Sequence, residues 1–199
     1  MNNNDVLRRL RYNFELDDSD MIKLFAHCDQ TVTRTEISAW LKRDDDPDLI
    51  EINDTNMAAF LNGFIISKRG KQNGKTPEPE KKLNNNIIFA KLKIALNLQS
   101  HEMLALLTLA GLPISKHELS AFFRKNSHKH YRTCKDQILR HFLKGIQMKY
   151  HDGMTLPEMP DAPVKPKAAA PKQATAKPEK QKKREPKVFQ WPKTPPEGS

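Results

Sequence analysis

Apolar residues along this chain recur three and four positions apart, the spacing that lines one face of an α-helix, and no stretch alternates as a half-buried strand would. Val6, Leu7, Leu10 and Phe14 form the first such face. Met21, Leu24 and Phe25 form a second, Ile37, Trp40 and Leu41 a third, and Met57, Phe60, Leu61 and Phe64 a fourth. The series then restarts with Ile88, Phe89, Leu92 and Leu96, followed by Met103, Leu106 and Leu107. Leu119, Phe122 and Phe123 come next, then Leu139, Phe142, Leu143 and Ile146. The pattern predicts an all-α protein with four helices in each half.

The halves are copies. Shifting the chain by 82 positions lays "NNN" at 2–4 on "NNN" at 84–86 and gives fourteen identities in 62 ungapped positions, where chance at average residue usage gives roughly four. Met21 falls on Met103, Glu36 on Glu118, Asp54 on Asp136, Phe60–Leu61 on Phe142–Leu143 and Gly63 on Gly145. This is a tandem duplication. The triplet reads as a helix start, an asparagine side chain accepting an early backbone N–H. "TRTE" at 33–36 and "SKHE" at 115–118 predict the same reciprocal cap on both third helices.

Composition divides the chain into a first repeat (1–71), a linker (72–82), a second repeat (83–153) and a tail (154–199). The linker lies within "GKQNGKTPEPEKK", rich in glycine, proline and charge. The tail is rich in proline, lysine and alanine, a composition expected to be disordered because it cannot bury enough apolar surface to fold alone.

Charge follows the same divisions. The first repeat carries ten basic and thirteen acidic residues, whereas the second carries eleven basic and four acidic, with six of the seven histidines. From residue 161 onward there are ten basic and four acidic residues. The later parts thus suit an anionic partner. Two cysteines are too few for a disulfide scaffold, and no apolar run suffices to cross a membrane. These features lead us to expect a cytoplasmic protein with no membrane partner.

The segments "NNNDVLRRLRYNFELDDSDMIKLF", "EISAWLKRDDDPD" and "AAFLNGFIISKRGK", followed by "NNNIIFAKLKIALNL" and "DQILRHFLKGI", resemble the YehS-like family in order and spacing. The resemblance covers roughly residues 2–151 and leaves the tail outside. It implies a bacterial cytoplasmic protein with an internal repeat. That family is one of unknown function, so the resemblance carries over no activity, cofactor or catalytic residue.

The residues themselves suggest no catalytic motif. "GKQNGKT" falls one residue short of a phosphate loop and follows no strand. Cys28 aligns with Ala110 and Cys134 with Ile52, which makes both packing positions. His128, His130, Cys134, His141 and His151 fit no compact ligand spacing, and the acidic run from Asp44 lacks the glycine and spacing of a calcium loop. We expect no enzyme, metal or cofactor.

Two functional readings remain open. In the leading one the second repeat binds the phosphate backbone of a nucleic acid, RNA or ribosome ahead of DNA. Lys116, His117, Arg124, Lys125, Lys129 and Arg132 would supply charge, Tyr131 a stacking ring, and Lys182, Lys183 and Arg184 a tail tether. Lys91, Lys93, Lys135, Arg140 and Lys144 extend this basic surface. Helices two and three of that repeat also suggest a helix-turn-helix presenting Lys116, His117, Ser120 and Arg124, though its turn is about two residues too long. The alternative is a protein-interaction adapter. In it Asp44, Asp45 and Asp46 meet the opposite-sign loop "NSHKHYRTC", within one molecule or between two, and Phe189 and Trp191 engage a partner groove.

Overall fold

The computed structural model describes residues 1–157, and among these there are eight α-helices and no strand. They are α1 (Asn3–Asn13), α2 (Asp18–Ala26), α3 (Arg34–Leu41) and α4 (Asp54–Arg69), then α5 (Asn85–Ala95), α6 (Ser100–Leu109), α7 (Lys116–Ala121) and α8 (Asp136–Tyr150). The expected all-α tandem repeat is what the chain forms. One 3-10 turn, Gln72–Gly74, interrupts the linker.

The asparagine triplet does three separate jobs, each in duplicate. Asn2 and Asn84 cap α1 and α5, accepting the N–H of Asp5 and Ile87. Asn3 and Asn85 donate to the carboxylates of Asp54 and Asp136, both at 2.8 Å. Asn4 and Asn86 are buried and hold the loop that enters the fourth helix. Asn4 donates to the carbonyls of Trp40 and Ile50 and accepts the N–H of Ile52, while Asn86 does the same with Phe122, Arg132 and Cys134. Every partner is displaced by the repeat period. One side chain thereby satisfies a carbonyl at the end of the third helix and two backbone groups of the loop that follows.

Two glycines set how closely the helices approach. A Cβ on Gly63 would lie 1.8 Å from the Leu24 carbonyl oxygen, and one on Gly145 would lie 2.2 Å from that of Leu106. Only glycine lets α4 cross α2, and α8 cross α6, at this separation. The backbone also repeats its left-handed residues, Glu15 with Asn97 and Asp29 with Gly111.

The cores are built from compensating residues. In the first repeat Phe25 on α2 meets Trp40 and Phe60, each at 5.5 Å between ring centroids. In the second, position 107 is leucine, and the central ring is Phe89 on α5, which meets Phe122 at 6.0 Å and Phe142 at 4.5 Å. The large side chain has moved from the second helix of the unit to the first, where the first repeat has Leu7. Total volume is retained, the kind of exchange a packed interior tolerates.

The repeats pack as one compact unit with a continuous apolar interior. Contacts are reciprocal, α1 lying on α8 and α5 on α4. The Leu83 N–H donates to Asp54 at 3.0 Å, and its counterpart, the Met1 amino group, donates to Asp136. Each fourth-helix aspartate therefore binds one asparagine of its own repeat and one nitrogen of the other. The Met1 amino group, followed by Asn85, holds Asp136 below the usual carboxylate range. Buried Asn13 adds a further tie, donating to the Leu143 carbonyl at 3.0 Å.

Two expectations change, and the linker proves to be held at several points. Lys91 is buried rather than part of the basic surface: its ammonium donates to Asn62 and pairs with Glu80 at 2.8 Å. The linker is pinned by that pair, by Leu83 and by the Pro77 carbonyl, which accepts from Asn62. The third helix of the second repeat ends at Ala121, leaving Phe122 and Phe123 beyond it. The Phe122 carbonyl accepts from the Asn86 side chain, and two 3-10-type bonds at Phe122 and Phe123 close the helix.

Candidate functional site

The short α7 and the loop after it enclose a groove of about 460 Å³ lined by His117, Arg124, Lys129, His130, Tyr131 and Arg132. Five of these, His117, Arg124, Lys129, Tyr131 and Arg132, were expected from the sequence as nucleic-acid-binding residues. His130, which also lines the groove, was not singled out from the other histidines. Lys116 and Lys125 are exposed neighbours of lining residues that do not line the groove themselves.

The groove is shaped by backbone contacts. Asn86 fixes both ends of the loop, at Phe122 and at Arg132 and Cys134. The Tyr131 N–H donates to the His128 carbonyl at 2.8 Å, and the Arg132 N–H donates to that of Ala121 at 3.3 Å. Arg124 reaches the His130 carbonyl at 3.4 Å.

Glu118 is the one carboxylate at the groove. Its partners are the Ser115 N–H and hydroxyl, both at 3.1 Å, and Arg132 at 3.4 Å. The Ser115 backbone, then its hydroxyl and finally Arg132, hold it below the usual carboxylate range. The capping motif made Glu118 legible as a cap, while its place at the groove depends on how the loop returns.

A second cleft, about 320 Å³, shares Arg124 and Tyr131 with the groove but has Ile87, Ala90, Phe122 and Phe123 in its walls. Sequence reasoning missed it because these residues come from two segments brought together by Asn86. Phe123 stacks on Phe89 at 5.4 Å, and Lys93 lies 4.7 Å from the Phe123 ring centroid.

The corresponding loop of the first repeat carries its own ion pairs. Asp44 pairs with Arg8 at 2.7 Å, Asp45 with Arg43 at 3.5 Å and Asp46 with Lys42 at 3.2 Å. Among the described residues no ion pair joins 44–48 to 124–132. Phe189, Trp191, Lys182, Lys183 and Arg184 lie outside the described residues.

The helix-turn-helix reading is not supported. α7 has six residues, about 9 Å of axis at ordinary helical rise, and Arg124 stands past its end instead of on its face. Six residues, 110–115, separate it from α6. No set of three or more His, Cys, Asp or Glu side chains among the described residues is placed to hold a metal. Both thiols are free and buried; burial raises the pKa of Cys28 and pushes that of Cys134 up to about 12. No helix among the described residues is long and apolar enough to cross a membrane.

Comparison with known proteins also finds two repeats. The family described as "Protein of unknown function (DUF1456)" matches twice, over residues 3–70 and 85–151. The uncharacterized protein YehS of Escherichia coli (strain K12) is 37% identical over 152 residues, covering 76% of this chain and 97% of that protein. No solved structure matches. With a family unit in each half and a relative aligned over nearly its full length, the chain belongs to the DUF1456 family of YehS-like proteins.

Proposed function

We propose that this is a non-enzymatic, nucleic-acid-associated protein whose second repeat binds a phosphate backbone, with RNA or the ribosome as target ahead of DNA. One observation carries the reading. His117, Arg124, Lys129, Tyr131 and Arg132 line a single groove holding one carboxylate, whereas the equivalent loop of the first repeat is occupied by its own ion pairs. Phosphates binding there displace condensed counterions, and that release supplies most of the affinity of such contacts. The exposed Arg132–Glu118 pair contributes little by itself and can exchange Glu118 for a phosphate oxygen. RNA is favoured over duplex DNA because α7 is too short to lie along a major groove. The basic tail, including Lys182, Lys183 and Arg184, adds a tether that raises effective concentration.

The test uses nuclease-treated protein and gel shifts with RNA and duplex DNA across a salt series. The triple change Arg124→Glu, Lys129→Glu, Arg132→Glu is expected to weaken RNA binding at least tenfold. It should also flatten the log–log salt slope by about two, the loss of three single-strand phosphate contacts. Unchanged affinity and slope would remove the groove from the function. Deleting 158–199 should weaken binding and flatten the slope further.

A further inference from the structure

We infer that the cleft beside the cationic groove receives one unstacked base, so that the second repeat selects single-stranded nucleic acid over duplex. The inference rests on the nucleic-acid reading and adds the state of the strand.

The argument comes from the chemistry of this place in the first repeat, where Arg8, Arg43, Asp44 and Asp45 line a charged opening of about 400 Å³. There Arg8 is held by Asp5 at 2.6 Å and Asp44 at 2.7 Å, and it donates to the Lys42 carbonyl at 2.5 Å. One guanidinium ties the first helix to the loop after the third. At the matching positions of the second repeat stand Ile87 for Asp5, Ala90 for Arg8 and Asn126 for Asp44. All three charged members of the network are absent together. The corresponding opening here, about 320 Å³, is walled instead by Ile87, Ala90, Phe122 and Phe123, with Asn84 and Asn126 also lining it.

This chemistry suits a nucleobase, which has two apolar faces and a hydrogen-bonding edge. Arg124 and Tyr131 line both cleft and groove. A base in the cleft would therefore leave its own phosphate among Arg124, Lys129 and Arg132. A base paired in a duplex could not enter without leaving its stack, and single strands avoid that cost.

The experiment uses the full chain and fluorescence anisotropy with a short labelled single-stranded RNA, the same strand annealed into a duplex, and an abasic strand of equal length. Ala90→Phe fills the cleft without altering charge. It is expected to weaken single-strand binding about tenfold, the low end for losing one stacked base, with duplex affinity and salt slope retained. The abasic strand should bind the wild-type protein about as weakly as the full strand binds Ala90→Phe. The comparison of normal with abasic strand on the wild-type protein stands even if the variant folds poorly. Equal wild-type affinity for normal and abasic strands would overturn the inference. If the Arg124, Lys129, Arg132 reversal still weakened binding, the groove reading would survive it; no binding of any strand would sink both.

Discussion

The two repeats of this protein were built on one plan and have diverged in a particular way. Both copies retain the groups that satisfy buried backbone or permit close approach. These are the asparagine triplet, Gly63 with Gly145, the reciprocal caps and the aspartates at the start of α4 and α8. What differs lies in side chains that can be exchanged in sets. The aromatic centre has moved from Phe25 to Phe89, and the Asp5–Arg8–Asp44 network has become Ile87, Ala90 and Asn126. A backbone carbonyl deep in the protein needs its partner whatever the surface does, whereas a solvated ion pair adds little stability and can be lost whole.

That comparison is most sharply broken at the glycines. Gly63→Ala and Gly145→Ala should each cost at least about 3 kcal/mol in urea unfolding, because the added carbon strikes backbone that cannot move aside. If either is neutral, α2–α4 and α6–α8 do not pack at the described separation. The buried asparagines come next. Asn4→Ala and Asn86→Ala each strand three backbone groups and should cost about 2–3 kcal/mol. Only Asn86→Ala should also lower RNA affinity, since it alone supports the groove. Equal effects of the two on binding would contradict the division of labour between repeats.

A smaller effect separates Lys91 from its counterpart Arg9. Lys91→Ala leaves Asn62 and Glu80 without their buried partner and should cost about 2 kcal/mol, while exposed Arg9→Ala should leave the urea midpoint unchanged. The smallest expected difference is at the caps, where the copies should behave alike. Thr33 and Ser115 hold Glu36 and Glu118 below the usual carboxylate range, through the backbone N–H first and the hydroxyl second. A carboxylate with a lowered native pKa adds stability above its unfolded value and loses it as pH falls through the native one. Glu36→Gln and Glu118→Gln should therefore lower the urea midpoint slightly near neutral pH and converge on wild type in acid. A gap that persists in acid would assign the effect to something other than carboxylate charge.

Much of this fold was legible in the residue order because its signals are local. Helical spacing, the N-caps at Asn2 and Asn84 and the boxes at Thr33 and Ser115 involve residues three or four apart, and the structure has each of them. The site was legible in part: loop cations close in sequence also came together in space, so five expected residues line one groove. The burial of Lys91 was hidden, because Glu80 and Asn62 meet it only when α4 packs on α5. The end of α7 was hidden too, since an asparagine 36 residues earlier takes the Phe122 carbonyl. The same holds for the cleft, whose walls come from α5 and the segment after α7.

The sequence by itself determined the period, the helices, their caps and the opposite charge of the two halves, all properties of neighbours along the chain or of simple counting. Tertiary structure alone decided which charges remain free. The same place is lined by Arg8, Arg43, Asp44 and Asp45 in one repeat and walled by Ile87, Ala90, Phe122 and Phe123 in the other, and that outcome depends on partners more than thirty residues away, beyond the reach of any local rule.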